Sequence, residues 1–207
     1  MPKSVTMVLS LTIITSVCGL ALGALNAATA SRIEEQILIN KQLPAAEKVL
    51  NKASNDLLAD RRTLKVGEDR RDWHTVFAGK IQGEAQPYGV AFESVSDKGF
   101  GGDIGIMVGF DVATGDLLGI AVTTLHETPG VGARAATDNA FSSQFRGLSS
   151  STDFRVKQDG GQIDALTGAT VTSRAVCDAV KSAVTLYSER ADELRQLESS
   201  SDQGGDQ

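Results

Sequence analysis

An uncharged stretch near the N-terminus constrains this chain more than any other feature. From Ser4 to Ser31 no residue is charged, and Val, Leu, Ile and Ala dominate. A segment of roughly 20 apolar residues is long enough to cross a bilayer. We therefore predict a transmembrane anchor over residues 1–31. The alternative is a cleaved signal peptide, because "AATA" before Ser31 offers small residues for cleavage, although the apolar region exceeds the ~7–15 residues usual in such peptides.

The charges that flank this span predict its orientation. Lys3 and the terminal amine precede it, whereas Arg32, Glu34 and Glu35 follow it. Basic residues are retained on the inner side of a membrane. The rest of the chain is therefore expected on the outer face.

Composition excludes two classes of function. The formal net charge is -6 and the pI is near 5.0, and the basic residues are scattered, so no basic surface for nucleic acid is predicted. Cys18 and Cys177 do not form a CxxC motif, and His74 and His126 are far apart in sequence. No zinc or iron–sulfur site is predicted from such spacing.

Residues 32–72 carry apolar positions at helical spacing, with Pro44 between two segments. We predict a helical stalk next to the membrane. A packed domain edge, a helix that contacts a partner and a solvated linker are alternatives that the pattern leaves open.

Residues 73–197 are predicted to form one domain, followed by a disordered tail over 198–207 that has no apolar residue. Val- and Ile-rich runs predict strands, and a turn with Gly115 between the last two of them predicts an antiparallel hairpin. The fold class is thus α+β: one transmembrane helix, then a single domain outside the cytoplasm with an antiparallel sheet and packed helices. The strands are predicted over 87–95, 104–112, 117–125 and 153–158, a short helix over 135–145 and a long amphipathic helix over 173–197.

Two loops contain glycines at positions where close approach is expected. The segment "DKGFGGDIG" fails the G-x-G-x-x-G pattern because Ile104 stands where the third Gly is required. Its glycines instead predict a turn where backbones or a ligand come close. In "LHETPGVG", His126 and Glu127 are adjacent and should point to opposite faces of an extended chain, which argues against an acid–base pair. Pro129 and Gly130 predict a turn, and Gly132 would leave room for a flat ligand.

The segment "DALTGATVTS" precedes the long helix. Thr172 or Ser173 is predicted as the N-cap, and the free N–H groups of the first turn suit an anion. Gly168 allows a tight bend, and the Thr170 hydroxyl would lie near the anion position. From these residues alone, a capped helix after a turn and a site of attachment are both possible.

Together, these segments resemble the FMN-binding subunits of ion-pumping respiratory complexes, namely the G subunit of the Rnf complex and the C subunit of the sodium-pumping NADH:quinone reductase. The resemblance covers the anchor, the stalk, "GFGGDIGIMVGFD", "HETPGVG" and "DALTGATVTS", in matching order and spacing. Val131 stands where Leu is frequent in the family, and Thr167 where Ser is also common. The compact region between stalk and sheet favours the Rnf type, with the reductase subunit as the alternative.

The resemblance implies covalent FMN. In this family an ApbE-type flavin transferase forms a phosphoester between FMN and a threonine, and the matching position here is Thr170. Asp164 falls at the acidic position that the transferase recognises. The other cofactor-binding residues implied by the resemblance are Thr167, Gly168, Ala169, Thr172, Ser173, His126, Glu127, Thr128, Gly130, Val131 and Gly132.

The implied function is that of an electron carrier in a larger complex. The resemblance implies a single-pass protein of the bacterial inner membrane that lies beside other membrane and redox subunits. Their complex couples electron transfer between ferredoxin and NAD to Na⁺ or H⁺ translocation. No catalytic residue, metal or independent activity is expected of this chain. An alternative from another class is a membrane-anchored anion-binding or sensory domain without flavin.

Overall fold

The computed structural model describes residues 3–67, 73–84 and 86–195. The predicted tail over 198–207 lies outside these residues. The chain divides into two compact units, Met1–Asn40 and Lys41–Gln207. Its helices are α1 (Lys3–Ile37), α2 (Leu43–Val49), α3 (Asn139–Ser143), α4 (Thr170–Glu189) and α5 (Ala191–Arg195), and its strands are β1 (Arg62–Lys65), β2 (Trp73–Lys80), β3 (Pro87–Ser96), β4 (Ile104–Asp111) and β5 (Leu117–Thr124).

The first unit consists mainly of α1, whose 35 residues extend over about 50 Å at 1.5 Å per residue. Its apolar side chains are exposed. The hydroxyls of Ser10, Thr12 and Thr29 donate to carbonyls one turn earlier, at 2.8–2.9 Å, so their hydrogen-bonding groups are satisfied inside the helix, as a lipid environment requires. Among the described residues, one helical run, Lys3–Val49, has the length and apolar composition to cross a membrane.

The segment after the anchor is only partly helical. Pro44 lies in the first turn of α2, directly after a π-helical turn over Leu38–Gln42. Helix α2 ends at Val49, and β1 follows. The prediction of a helical stalk over 32–72 therefore holds only for its first half. In its second half the chain forms β1, an edge strand of the sheet.

The sheet of the second unit is an antiparallel meander in the order β1-β2-β3-β4-β5. Helix α4 covers one face of it and completes the hydrophobic core. Phe110 stacks on Phe92 and on Tyr187 of α4, with ring centroids 5.5 and 4.3 Å apart. The predicted antiparallel α+β fold is confirmed.

Glycines let α2 approach the opposite face of the sheet. Side chains alternate along β4, so Phe110 faces α4 while Gly109 faces α2. A Cβ at Gly109 would overlap Val49, and one at Gly89 would lie 3.1 Å from Leu50. Val49 and Leu50 are buried there.

A predicted helix and a predicted strand differ from the structure. The helix predicted over 135–145 is divided into a 3₁₀ turn, Gly132–Ala136, and α3, which Asp138 caps by accepting from the N–H groups of Ala140 and Phe141. The strand predicted over 153–158 is wrong. Val156 makes one isolated bridge to Ile163 before a 3₁₀ turn begins at Lys157.

Candidate functional site

The two glycine-containing loops lie at the same end of the sheet. Gly105, near the start of β4, pairs with Thr124 at the end of β5. The loop before β4 and the turn after β5 are therefore neighbours in space, although the whole β4–β5 hairpin separates them in sequence.

Glycines are required for close backbone contact between these loops and within the loop before β4. A Cβ at Gly101 would overlap the carbonyl oxygen of His126, and one at Gly99 would overlap the carbonyl oxygen of Gly102. The sequence-based prediction of close approach is correct, and the groups that approach are both backbone.

Glu127 joins these loops to the start of α4. Its Oε1 accepts hydrogen bonds from the backbone N–H groups of Phe100, at 2.7 Å, and Gly101, at 3.2 Å. Its Oε2 accepts from Thr172 Oγ1 at 3.1 Å. We call these four residues, Phe100, Gly101, Glu127 and Thr172, the Glu127 clasp. Bonds to a carboxylate are stronger than those between neutral groups, so the clasp fixes three segments that are distant in sequence.

Gly132 serves the clasp rather than leaving space for a ligand. A Cβ at this position would lie 2.6 Å from both Glu127 Oε2 and Thr172 Oγ1. His126, by contrast, is exposed, which agrees with the expectation that His126 and Glu127 point apart. The Thr128 carbonyl closes the turn by accepting from the N–H groups of Val131 and Ala133, each at 3.2 Å, while Gly130 has a φ of 76° that favours glycine.

Helix α4 begins earlier than predicted. Its N-cap is Ala169, without a side-chain capping bond, and the first backbone bond of the helix runs from Ser173 N to Ala169 O at 3.0 Å. The predicted capping role of Thr172 or Ser173 is therefore wrong. Both lie inside the first turn: the Thr172 hydroxyl belongs to the clasp, and the buried Ser173 hydroxyl accepts from Leu166 N at 2.9 Å and donates to Ala169 O at 3.0 Å.

The residues just before α4 are more open than the clasp. Thr167 and Gly168 are exposed, Ala169 is buried, and Thr170, the first helical residue, is half-buried. Gly168 has a φ of 79°, and a Cβ added there would meet no atom within 4 Å. The N–H groups of the three residues from Thr170 precede the first helical hydrogen bond, so they lack an intrahelical acceptor and form the positive end of the helix dipole.

Arg134 lies beside this helix start and was missed in the sequence. Its Nη2 donates to the Thr167 carbonyl at 3.0 Å, whereas its Nε is buried without a hydrogen-bond partner. A buried donor without a partner is uncommon and calls for an explanation such as a bound anion. The sequence signal that could have found it was a basic residue two positions after Gly132.

Asp164 lies on the surface six residues before Thr170. Its carboxylate accepts from Lys157 Nζ at 2.7 Å and its side chain is 65% exposed. Gln144 holds the Asp164 backbone through two bonds, accepting from the N–H at 2.7 Å and donating to the carbonyl at 3.2 Å. The carboxylate is thus displayed on a fixed backbone.

An open cleft of about 480 Å³ lies at the other end of β4 and β5, lined in part by Tyr88, Asp111 and Leu117. It shares no residue with the clasp or with the start of α4. The candidate site is therefore a surface site on exposed loops rather than this cleft.

Comparison with known proteins supports this location. A family model described as "FMN-binding domain" matches residues 99–185, a range that contains the clasp, Arg134 and the start of α4. The chain is 31% identical over 179 residues to the G subunit of the ion-translocating oxidoreductase complex of Vibrio cholerae serotype O1 (strain M66-2), covering 81% of this chain and 82% of the relative. It is 30% identical over 190 residues to the G subunit of the Na(+)-translocating ferredoxin:NAD(+) oxidoreductase complex of Acetobacterium woodii, covering 86% and 89%. Among solved structures, Shewanella oneidensis NqrC has a TM-score of 0.48 and 19% identity, covering 70% of this chain and 72% of that one.

Proposed function

This chain belongs to the family of G subunits of ion-translocating oxidoreductase complexes, and we propose that it is the electron-carrying subunit of such a complex, with FMN joined to Thr170 by a phosphoester. The observation that carries the proposal is the position of Thr170. It is the first residue of α4, next to exposed residues and to N–H groups without intrahelical acceptors.

The residues present fit a phosphodiester at this position. The helix dipole and the free N–H groups favour an anion. Arg134 adds a positive charge, held against Thr167 O, and its buried Nε lacks a hydrogen-bond partner in the structure. Gly168, with its positive φ and open surroundings, leaves space for the cofactor and for the enzyme that attaches it. In this proposal Arg134 and the first turn of α4 hold the phosphate.

The flavin ring would lie towards the turn over His126–Gly132, where His126, Thr128, Gly130 and Val131 are exposed. The hydrogen bond between Thr172 and Glu127 holds this turn in place. Gly132 packs closely against both of them. Ser173 and Ala169 fix the backbone of the attachment site. The implied cofactor residues thus divide into those that face the ligand and those that hold the loops.

FMN supplies the redox chemistry when bound, since a flavin accepts and releases electrons, while the protein supplies position and tuning. The chain orients the cofactor and needs no acid, base or nucleophile of its own. A covalent bond keeps FMN in place on the outer face of the membrane, where lost cofactor would not be replaced.

We assign the complex to the Rnf type because the relatives are G subunits by name. The chain would then cross the bacterial inner membrane once and carry its FMN domain in the periplasm. Its complex would couple electron transfer between ferredoxin and NAD to translocation of Na⁺ or H⁺. An ApbE-type transferase would recognise the displayed Asp164 and modify Thr170.

The test is mass spectrometry of the full chain produced with and without a flavin transferase. We expect an FMN-sized increment on the Thr170 peptide only with the transferase, and none in Thr170→Ala. Thr137→Ala is the matched control, because it removes an exposed hydroxyl outside the implied cofactor residues and should keep the increment. An unmodified Thr170 in the presence of active transferase contradicts the proposal.

The role of Arg134 is tested by comparing unmodified and flavin-bearing protein. Arg134→Met keeps much of the side-chain length but removes the charge and the unpartnered donor. We expect the gain in melting temperature on flavin attachment to be smaller in Arg134→Met than in the wild type. An equal gain would mean that Arg134 does not hold the phosphate.

The complex and the orientation need separate experiments. Copurification with membrane subunits, followed by an assay of ferredoxin:NAD reductase activity, tests the assignment, and NADH:quinone reductase activity instead would favour the alternative family member. A tag placed after Gln207 should be removed by external protease from spheroplasts. Protection of the tag contradicts the periplasmic orientation.

A further inference from the structure

One phenylalanine of the site differs from all the others in the chain. The sequence contains seven, and six are at most 3% exposed, namely Phe77, Phe92, Phe110, Phe141, Phe145 and Phe154. Phe100 is 76% exposed. An exposed aromatic ring costs hydrophobic free energy that the other six gain, so its position calls for an explanation outside the core.

The backbone that carries Phe100 is firmly held. Phe100 N and Gly101 N both donate to Glu127 Oε1, and Gly101 is packed against the His126 carbonyl, where a Cβ would overlap. These contacts hold the Cα of Phe100 in a fixed place. A ring with only two side-chain torsions on a fixed backbone loses little conformational entropy when it binds a ligand.

The same bonds place Phe100 near the attachment site. Glu127 accepts from Phe100 N through Oε1 and from Thr172 Oγ1 through Oε2, and Thr172 is two residues from Thr170. Two more exposed apolar side chains adjoin the clasp. Val131 precedes Gly132, which packs against Glu127 and Thr172, and is 42% exposed; Val171 precedes Thr172 and is 43% exposed. The exposed apolar surface of this region is thus gathered around the start of α4.

We propose that Phe100 packs its ring against the isoalloxazine ring of the FMN carried on Thr170, and so positions the cofactor; this inference rests on the proposed function. The isoalloxazine is a flat aromatic system, and offset stacking is the preferred contact between such rings. Glu127 acts through Phe100 as a positioning residue. Phe100 is the residue that touches the cofactor.

Flavin fluorescence in the purified, flavin-bearing full chain provides the test. Tryptophan in contact with an excited flavin donates an electron to it and returns it to the ground state without emission. Phe100→Trp should therefore lower the emission per bound FMN severalfold, and Phe100→Tyr should act in the same direction. Ile81→Trp is the matched control, because Ile81 is also partly exposed, at 37%, but follows β2 at the other end of the sheet.

A second readout follows the mobility of the ring. Phe100→Leu keeps an apolar side chain but removes the stacking surface, so the fluorescence anisotropy of the flavin should fall below the wild-type value. Bound FMN is measured by mass in every sample. If the wild type carries no FMN, the proposed function fails; if FMN is present and Phe100→Trp emits as strongly as Ile81→Trp, this inference is overturned.

Discussion

The Glu127 clasp and the segment from Thr167 to Thr170, where α4 begins, are two parts of the candidate site that are built differently. In the clasp, carboxylate oxygens and backbone N–H groups are bonded to one another, and an added methyl group at Gly132 has no room. At the helix start, Gly168 has open space, and the first turn has N–H groups without helical acceptors. The clasp is organised for rigidity, whereas the helix start leaves polar groups available to a ligand.

Gly132, which packs against two residues of the clasp, offers the largest test of this difference. Gly132→Ala forces a Cβ to within 2.6 Å of Glu127 Oε2 and Thr172 Oγ1, so the clasp must shift. Overpacking of this kind typically costs 1–3 kcal/mol, and we expect about 2 kcal/mol of lost unfolding free energy, measured by urea denaturation.

A second substitution provides the control for Gly132→Ala. Thr172→Ala removes one of the two oxygens that the new methyl group meets, so the cost of Gly132→Ala should be smaller in that background, as expected for residues in contact. Equal costs in the two backgrounds would show that the crowding argument is wrong.

Loss of the Glu127 charge should have the next largest effect. Glu127→Gln keeps an acceptor for Phe100 N and Gly101 N but replaces Oε2 by an amide nitrogen, so Thr172 can only accept from this group and every bond to the charged carboxylate becomes a neutral one. Hydrogen bonds to charged groups contribute about 1.5–3 kcal/mol and neutral ones about 0.5–1.5, which predicts a destabilisation of about 1 kcal/mol.

Hydrogen exchange distinguishes this effect from a general loss of stability. In Glu127→Gln, the amides of Phe100 and Gly101 should exchange faster than in the wild type, while the β3 and β4 amides change only as much as global stability does. Unchanged exchange at Phe100 and Gly101 would mean that Glu127 does not hold the loop.

Gly168→Ala tests the open side of the comparison. A methyl group meets no atom there, but the φ of 79° is one that other residues adopt at a cost of about 1 kcal/mol or more. We expect a destabilisation near 1 kcal/mol, smaller than that of Gly132→Ala, by urea denaturation. Gly168→Asn, which tolerates this conformation better, should be closer to the wild type. A larger cost for Gly168→Ala than for Gly132→Ala would reverse the comparison.

Local patterns predicted the elements of this fold better than its caps and its loop contacts. Runs rich in Val and Ile predicted β3, β4 and β5 within a few residues of their bounds, because both faces of the sheet are covered and most residues of these strands are buried. Phe154 and Val156 are also buried, yet the predicted strand is absent. Both side chains join the core that α4 completes, but the backbone there makes only the isolated bridge between Val156 and Ile163.

The clasp was less predictable for a similar reason. Glu127 accepts from residues 26, 27 and 45 positions away in sequence, and no local pattern encodes such pairings. Thr172 and Ser173 both have hydroxyls capable of capping. Which hydroxyl caps, if any, depends on where the preceding turn packs, and here both are used to hold other segments.

The smallest expected effect concerns an ion pair on the exposed side of α4. Arg174 donates to both carboxylate oxygens of Asp159 at 2.7 Å, and these bonds hold the pKa of Asp159 below its usual value. A carboxyl whose pKa is lower in the folded state adds stability above its unfolded pKa, about 4, and loses that contribution as the pH falls through the folded pKa.

Asp159→Asn should therefore lower the urea midpoint slightly at pH 7, with the difference from the wild type shrinking below about pH 4. Because the pair is exposed, the effect should also shrink as salt is added, and Arg174→Gln should reproduce it. A difference that stays constant with pH would assign the Asp159 contribution to uncharged packing, and the exposed face of α4 would then resemble the clasp in depending on fixed contacts.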